Sequence, residues 1–174
     1  MKATISHENL ARTLSIVGRA ARSTSTLPIL ANVLIRTESG RLRLAATDLE
    51  IGITALVDAR VEEPGEITVP ARTFIDLIGT FSKDEISLVV DPAAQTLAVK
   101  SGRSKTQIKG IDAQEFPVLP QLNASTIEMP AAYLKEVILR VAPSSSEDES
   151  RPTLTGIHLR LIPGRAVLEA ADGF

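Results

Sequence analysis

The chain has 174 residues, 44% of them apolar and 23% charged, with two histidines and no cysteine. That composition fits one ordinary folded domain or two small ones and excludes a disulfide frame or a cysteine-ligated metal site. Nineteen basic and 21 acidic side chains leave a net charge of −2, and four Phe with one Tyr and no Trp make a poor base-stacking platform, so bulk attraction to nucleic acid and single-strand stacking are both disfavoured.

The first residues carry no apolar signal core, and no stretch approaches the roughly 20 apolar residues that cross a bilayer; a cytoplasmic protein without membrane contact is expected. A first helix is expected over residues 8–19 after a Ser6 N-cap, with Leu10, Leu14 and Val17 as its apolar stripe. Arg12 and Arg19 fall opposite that stripe, with Ser15 between them, and form a basic ridge. Period-two alternation then predicts a hairpin of residues 33–37 and 41–45 around Ser39-Gly40, and strands over 51–57 and 66–69. A second helix follows Pro70, with Phe74, Leu77, Ile78 and Phe81 at helical spacing. Strands over 86–90, 96–100 and 105–109 are separated by Asp91-Pro92 and Ser101-Gly102. A third helix follows Pro130, with Leu134, Ile138 and Val141 as its stripe.

Charge is segregated along this order. Residues 1–36 hold five basic groups and one acid, whereas 37–70 hold three basic groups and seven acids. Lys100, Arg103, Lys105 and Lys109 form a second cationic concentration without an acid between them.

The most informative feature is an internal repeat. A shift of 124 residues, without a gap, pairs Leu10 with Leu134, Val17 with Val141, Pro28 with Pro152, Leu30 with Leu154, Arg36 with Arg160, Gly40 with Gly164, Arg41 with Arg165, Leu44 with Leu168, Ala46 with Ala170 and Asp48 with Asp172. The Pro, Gly-Arg and Asp matches are not periodicity matches. One unit is therefore about 124 residues, giving a complete domain over 1–124 and a second copy over 125–174 that stops after its first hairpin. A helix and a hairpin bury too little apolar area to stand alone. The expectation is a fragment of a longer protein, ahead of a half-domain completed by another chain.

No catalytic constellation emerges. Asp48 and Glu50 would share a strand face, as acid–base or metal pairs do, but a polar hairpin end is the weightier reading. The run from Ser144 to Ser150 reads as a solvated connection, and Ser101-Gly102-Arg103-Ser104-Lys105 lacks the spacing of a phosphate loop. No metal or cofactor is expected.

Thr26-Leu27-Pro28-Ile29-Leu30-Ala31-Asn32, Ala46-Thr47-Asp48-Leu49-Glu50, Val69-Pro70-Ala71-Arg72, Ser101-Gly102-Arg103-Ser104, Glu115-Phe116-Pro117 and Ala171-Asp172-Gly173-Phe174 resemble, in order and spacing, the β sliding clamp of bacterial DNA polymerase III. The resemblance implies an α+β DNA-clamp fold of repeated domains, each an antiparallel sheet structure with two helices, the second copy truncated. It implies a non-catalytic processivity factor whose three-domain chains close head to tail into a homodimer ring around duplex DNA. Arg12, Arg19, Arg22, Arg72, Lys83 and Arg151 are then the expected contacts to the DNA backbone, without sequence specificity. Arg103, Lys105 and Ile108 are the expected subunit-interface residues. Leu154, Ala171, Gly173 and Phe174 begin the cleft that takes a short apolar peptide from polymerase, clamp loader or repair proteins. The competing readings are a clamp-like α+β interaction module that does not encircle DNA, and a hydrolase using Asp48 and Glu50.

Overall fold

A computed structural model describes residues 1–21, 26–82, 85–120 and 127–173. The chain divides into two units, Met1–Gln121 and Leu122–Phe174.

In the first unit β1 (Lys2–Ser6) leads directly into α1 (His7–Val17). Leu10, Thr13, Leu14 and Val17 form its buried stripe, and Ser6 stands at the N-cap without a side-chain capping bond. The helix ends two residues earlier than the sequence suggests, because Gly18–Ala20 tightens into a 3-10 turn that carries Arg19. After a second such turn, Pro28–Ala31, come β2 (Asn32–Glu38), β3 (Arg41–Thr47), β4 (Gly52–Asp58), β5 (Arg60–Glu63) and β6 (Glu66–Pro70). Ser39 and Gly40 both hold positive φ, 49° and 76°, the twist that a two-residue hairpin loop requires. Next come α2 (Ala71–Thr80), β7 (Glu85–Asp91), β8 (Thr96–Ser101) and β9 (Ser104–Lys109). Phe81 lies outside α2 in an extended conformation, so its helical spacing misleads.

The strands form two antiparallel sheets, ordered β5-β1-β7-β8-β9 and β4-β3-β2-β6. Sequence patterning misses β1 and β5. β5 is an edge strand with one apolar residue among four, so only pairing with β1 defines it. The core lies between the inner sheet faces and the two helices. Phe74, Leu10, Leu14, Leu44, Ile35, Ile86, Leu88 and Leu97 are fully buried there. On the other face of the second sheet, Leu34 and Ala45 are covered by Ala113 and Phe116 from the segment after β9. Buried Thr68 fastens that segment: its hydroxyl donates to the Ile111 carbonyl at 2.9 Å and accepts from Nδ2 of buried Asn32 at 3.0 Å.

The second unit contains α3 (Ala131–Val141), 3-10 turns at Ala142–Ser144 and Pro152–Leu154, and a hairpin of β10 (His158–Ile162) and β11 (Arg165–Glu169). Shifting α1 by 124 (7 + 124 = 131, 17 + 124 = 141) reproduces the bounds of α3, and the same shift takes Gly18–Ala20 onto Ala142–Ser144. Gly164 repeats the left-handed turn of Gly40, at φ 79° and 76°. The matching core positions are not equally covered. Leu10 and Leu44 are fully buried, whereas Leu134 and Leu168 line an open apolar cavity of about 450 Å³ with Tyr133, Val137 and Leu161.

Candidate nucleic-acid interface and peptide cleft

The helical face opposite the core of the first unit carries Arg12, Ser15, Ile16 and Arg19, all exposed. Among the described residues Arg12 donates only a long bond to Asn9 Oδ1, at 3.4 Å, and its guanidinium extends from a helix turn whose buried side is fixed by Leu10 and Leu14. α2 packs beside α1 so closely that a Cβ on Gly18 would lie 2.5 Å from Ile75 Cδ1. Arg72, on the first turn of α2, lines a cavity of about 260 Å³ with Gly18 and Ala21, which brings it beside the turn carrying Arg19. Asp76 lies 4.0 Å from Arg72, but both side chains are largely exposed and such pairs contribute little. Arg22 and Lys83 lie outside the described residues.

β9 is an edge of its sheet. Ser104, Lys105, Thr106 and Gln107 are exposed along it, and Arg103 is exposed in the turn before it. Lys105 pairs directly with Lys100 on β8, placing two like charges side by side, an unfavourable arrangement until an anionic group approaches. The strand stays exposed until Ile108, whose side chain is buried in the core next to its cross-strand partner Leu97. Ile108, expected at the subunit interface, thus packs its side chain within its own unit while its backbone lies on the edge strand.

In the second unit, a Cβ on Gly173 would lie 3.3 Å from the Arg151 guanidinium and 3.4 Å from Leu154 Cδ1. The structure thus brings together Leu154, Gly173 and Arg151, with Ala171 exposed two residues before; Phe174 lies outside the described residues. Arg151 pairs with Asp148 at 3.3 Å. Asp148 titrates below the usual aspartate range because the Ser150 side chain and backbone N–H hydrogen-bond its charged form, with Arg151 adding to the effect.

Asp48 and Glu50 do not sit on a strand. Residues 48–51 form the turn between β3 and β4, and Asp48 Oδ1 accepts the Glu50 and Ile51 backbone N–H groups at 3.0 and 2.8 Å. The carboxylate is committed to shaping the turn, which removes the acid–base reading. Leu49 in the same turn holds φ at 78°, a left-handed conformation that costs a non-glycine residue about 1 kcal/mol. Sequence reasoning missed this position; the signal was the pairing of Leu49 with Gly173 in the repeat. Among the described residues no helix is long and apolar enough to cross a membrane, and no group of three or more His, Asp or Glu side chains is placed to hold a metal ion.

The family model described as the DNA polymerase III beta subunit, N-terminal domain, matches residues 1–120. The chain belongs to the DNA polymerase III beta-subunit family. It is 37% identical over 177 residues to the beta sliding clamp of Synechococcus elongatus, covering 99% of this chain and 47% of that protein. With the beta sliding clamp of Pseudomonas aeruginosa it shares 33% identity, with 99% and 47% covered. The crystal structure of the DNA polymerase III subunit beta from Pseudomonas aeruginosa superposes with a TM-score of 0.92 at 32% identity, covering 99% of this chain and 47% of that one. That of a sliding clamp from Bartonella birtlesii bound to griselimycin gives 0.90 at 30%, with the same coverage. The chain therefore spans about half the length of the curated relatives it matches. These likenesses establish the α+β clamp fold in antiparallel sheets.

Proposed function

We propose that this chain supplies the first domain and the beginning of the second domain of a DNA sliding clamp, a non-catalytic processivity factor that tethers a replicative polymerase to duplex DNA. The observation that carries this reading is the exposed cationic face of α1 and its 3-10 turn, Arg12 and Arg19, with Arg72 brought beside it by the tight α1–α2 contact. Long cations fixed on helix turns meet phosphates without reading bases. A ring that encloses DNA does not need strong attraction, so a protein of net charge −2 can serve if its cations are gathered on one face. Arg22, Lys83 and Arg151 complete the proposed backbone contacts. The exposed, like-charged edge at Arg103 and Lys105 suits pairing with an acidic strand edge of a second subunit, with the β9 backbone that includes Ile108 supplying the hydrogen bonds. Leu154, Ala171, Gly173 and Phe174 begin a groove for a short apolar peptide of a partner protein.

The test is the salt dependence of duplex binding. Each phosphate contact contributes about 0.9 to the slope of log K against log salt. Replacing Arg12, Arg19 and Arg72 by alanine should lower the slope by about 2–3 and shorten retention on nicked circular DNA in a chain extended to its relatives' length. An unchanged slope and retention would favour the interaction module that does not encircle DNA.

A further inference from the structure

The segment after β9 leaves a space beneath it. Phe116 and Ala113 cover Leu34 and Ala45, and Leu119 reaches β4 so closely that a Cβ on Gly52 would lie 2.8 Å from Leu119 Cδ2. Between these two anchors Val118 is 95% exposed. A cavity of about 170 Å³ opens there, lined by Leu34, Ala45, Phe116 and Leu119 and, one step along the same sheet face, by Arg36 and Arg43. An apolar cavity of about 150 Å³ takes up benzene, so this one has room for a single ring-sized group.

Arg36 and Arg43 face each other directly across β2 and β3, a like-charged pair that is unfavourable as it stands. The repeated module does not require it, because Arg160 of the second unit faces Val167. Each guanidinium has a glutamate beside it, but neither glutamate lines the cavity. Arg36 donates its Nε–H to Glu66, and Arg43 Nη2 donates to Glu38 Oε1 at 3.1 Å. Both Nη groups of Arg36 and Nη1 of Arg43 therefore have no acceptor among the described residues. Arg43 Nε is buried and also lacks one: Glu38 Oε2 lies 2.5 Å away but off the line of its N–H. Among the described residues the two arginines are the only ionisable groups on the cavity wall, and each keeps unused donors.

We propose that this cavity binds a small carboxylate carried on one compact apolar group, with the apolar group on Leu34, Ala45 and Phe116 and the carboxylate between Arg36 and Arg43. A planar carboxylate matches the fork of guanidinium donors, whereas the apolar floor offers nothing to a hydrated phosphate. Two sources present this group, a free acid and the C-terminal residue of a peptide. The site lies on the face of the second sheet that α1 does not cover and does not depend on the sliding-clamp reading.

The test is a fluorine NMR titration of the 174-residue chain with para-fluorobenzoate and with uncharged para-fluorobenzamide. The acid should bind at least about tenfold tighter, since only it forms charge-assisted bonds to both arginines. Val118 is exposed at the rim, so Val118→Glu should weaken acid binding by about threefold and Val118→Lys should strengthen it by about as much. Neither should move the urea midpoint or the binding of the amide. Arg36→Gln should bring the acid down towards the amide; if that variant fails to fold, the opposed Val118 pair decides. Displacement of para-fluorobenzoate by N-acetyl-Ala-Phe at a lower concentration than by benzoate makes the ligand a chain end, and the reverse order makes it a free acid. The proposal is overturned if the acid does not bind, if acid and amide bind equally, if inorganic phosphate displaces the acid as readily as benzoate does, or if neither Val118 variant changes acid binding.

Discussion

Leu10 and Leu134 are the same residue of the same module in two states of coverage, so an identical truncation at each should have unequal consequences. Leu10 is fully buried between α1 and the sheets, with Leu14 and Leu44 around it. Leu10→Ala removes its outer carbons from a closed, packed site and should cost about 3–5 kcal/mol through lost transfer energy and residual cavity. Leu134 lines an open cavity of about 450 Å³, and burying a whole leucine is worth roughly 1.5–3 kcal/mol, so removing a half-covered one should cost about 1 kcal/mol. Urea denaturation separates the two. Tyr133 is the sole tyrosine of a chain without tryptophan and lies in α3, so its fluorescence follows the second unit while far-ultraviolet circular dichroism is dominated by the first. With a denaturant slope of about 2 kcal/mol per molar, Leu10→Ala should move the dichroism midpoint down by about 1.5–2.5 M, and Leu134→Ala should move the fluorescence midpoint by about 0.5 M. In a chain extended to its relatives' length, Leu134→Ala should become as costly as Leu10→Ala. Equal shifts in the 174-residue chain would refute the argument that coverage, rather than the module's sequence, sets the cost.

Two glycines test packing in opposite directions. A Cβ on Gly110 would lie 2.4 Å from the Thr68 carbonyl oxygen and 2.7 Å from Ile67 Cδ1, so Gly110→Ala should cost about 1–3 kcal/mol; Gly79 in α2 has nothing within 4 Å, and Gly79→Ala should raise stability by up to about 1 kcal/mol, both read as urea midpoints. Thr68→Val leaves buried Asn32 Nδ2 without the hydroxyl that accepts from it and should cost about 1–3 kcal/mol in the same assay. The Glu62 carboxyl, 2.6 Å from Lys2 Nζ, is held below the usual glutamate range by that hydrogen bond, and Lys2 is raised by the same bond. The pair's contribution should therefore be present above the ordinary glutamate midpoint, fade as pH falls through the depressed one, and fade again as pH rises through the raised lysine midpoint. Carboxyl chemical shifts should show Glu62 moving back up in Lys2→Met.

How much of this was legible from sequence follows from which interactions are local. Helices α1, α2 and α3 announce themselves because Leu10, Leu14 and Val17, and their counterparts, recur at the spacing of one helix face. Period-two strands from β2 to β4 and from β7 to β9 do the same. Strand β5 does not, because Arg-Val-Glu-Glu acquires its structure from β1, far away in the chain. Helices α1 and α2 stop short of the expected ends, at Gly18, which opens a 3-10 turn, and at Phe81, which is extended despite its helical spacing. At the candidate site, the exposure of Arg12 and Arg19 was readable from the helical wheel, and the grouping of Leu154 with Gly173 followed from the resemblance. The nearness of Arg72 to the Arg19 turn, the inward side chain of Ile108 and the capping role of Asp48 depend on long-range packing or on a turn that alternation misreads as strand.

The two copies also show how one backbone carries different surfaces. Apart from the exposed pairs Arg36/Arg160 and Arg41/Arg165, the identities between them fall where the fold is decided, among them buried Leu10, Val17 and Leu44, the Pro28 that opens a 3-10 turn, and Gly40 in its left-handed hairpin loop, each with its partner 124 residues on. The differences fall where the chain meets its surroundings. Arg12 becomes Glu136, which is paired with Arg140 at 2.5 Å, and Arg19 becomes Pro143, so the ridge that makes the first helix cationic is absent from the third. Leu27 becomes Arg151 and Leu49 becomes Gly173, so the aliphatic turn of one copy is a cationic, open turn in the other. Because the buried positions hold the geometry, the exposed ones diverge at little cost to folding, and each copy can present a different chemistry from equivalent points of the same frame. Under the proposed function, DNA contact in the second unit falls to the loop that carries Arg151, whose charge is already shared with Asp148. Asp148→Asn should therefore strengthen duplex binding of the chain, and steepen its salt dependence, while Glu136→Gln releases Arg140 and acts in the same direction.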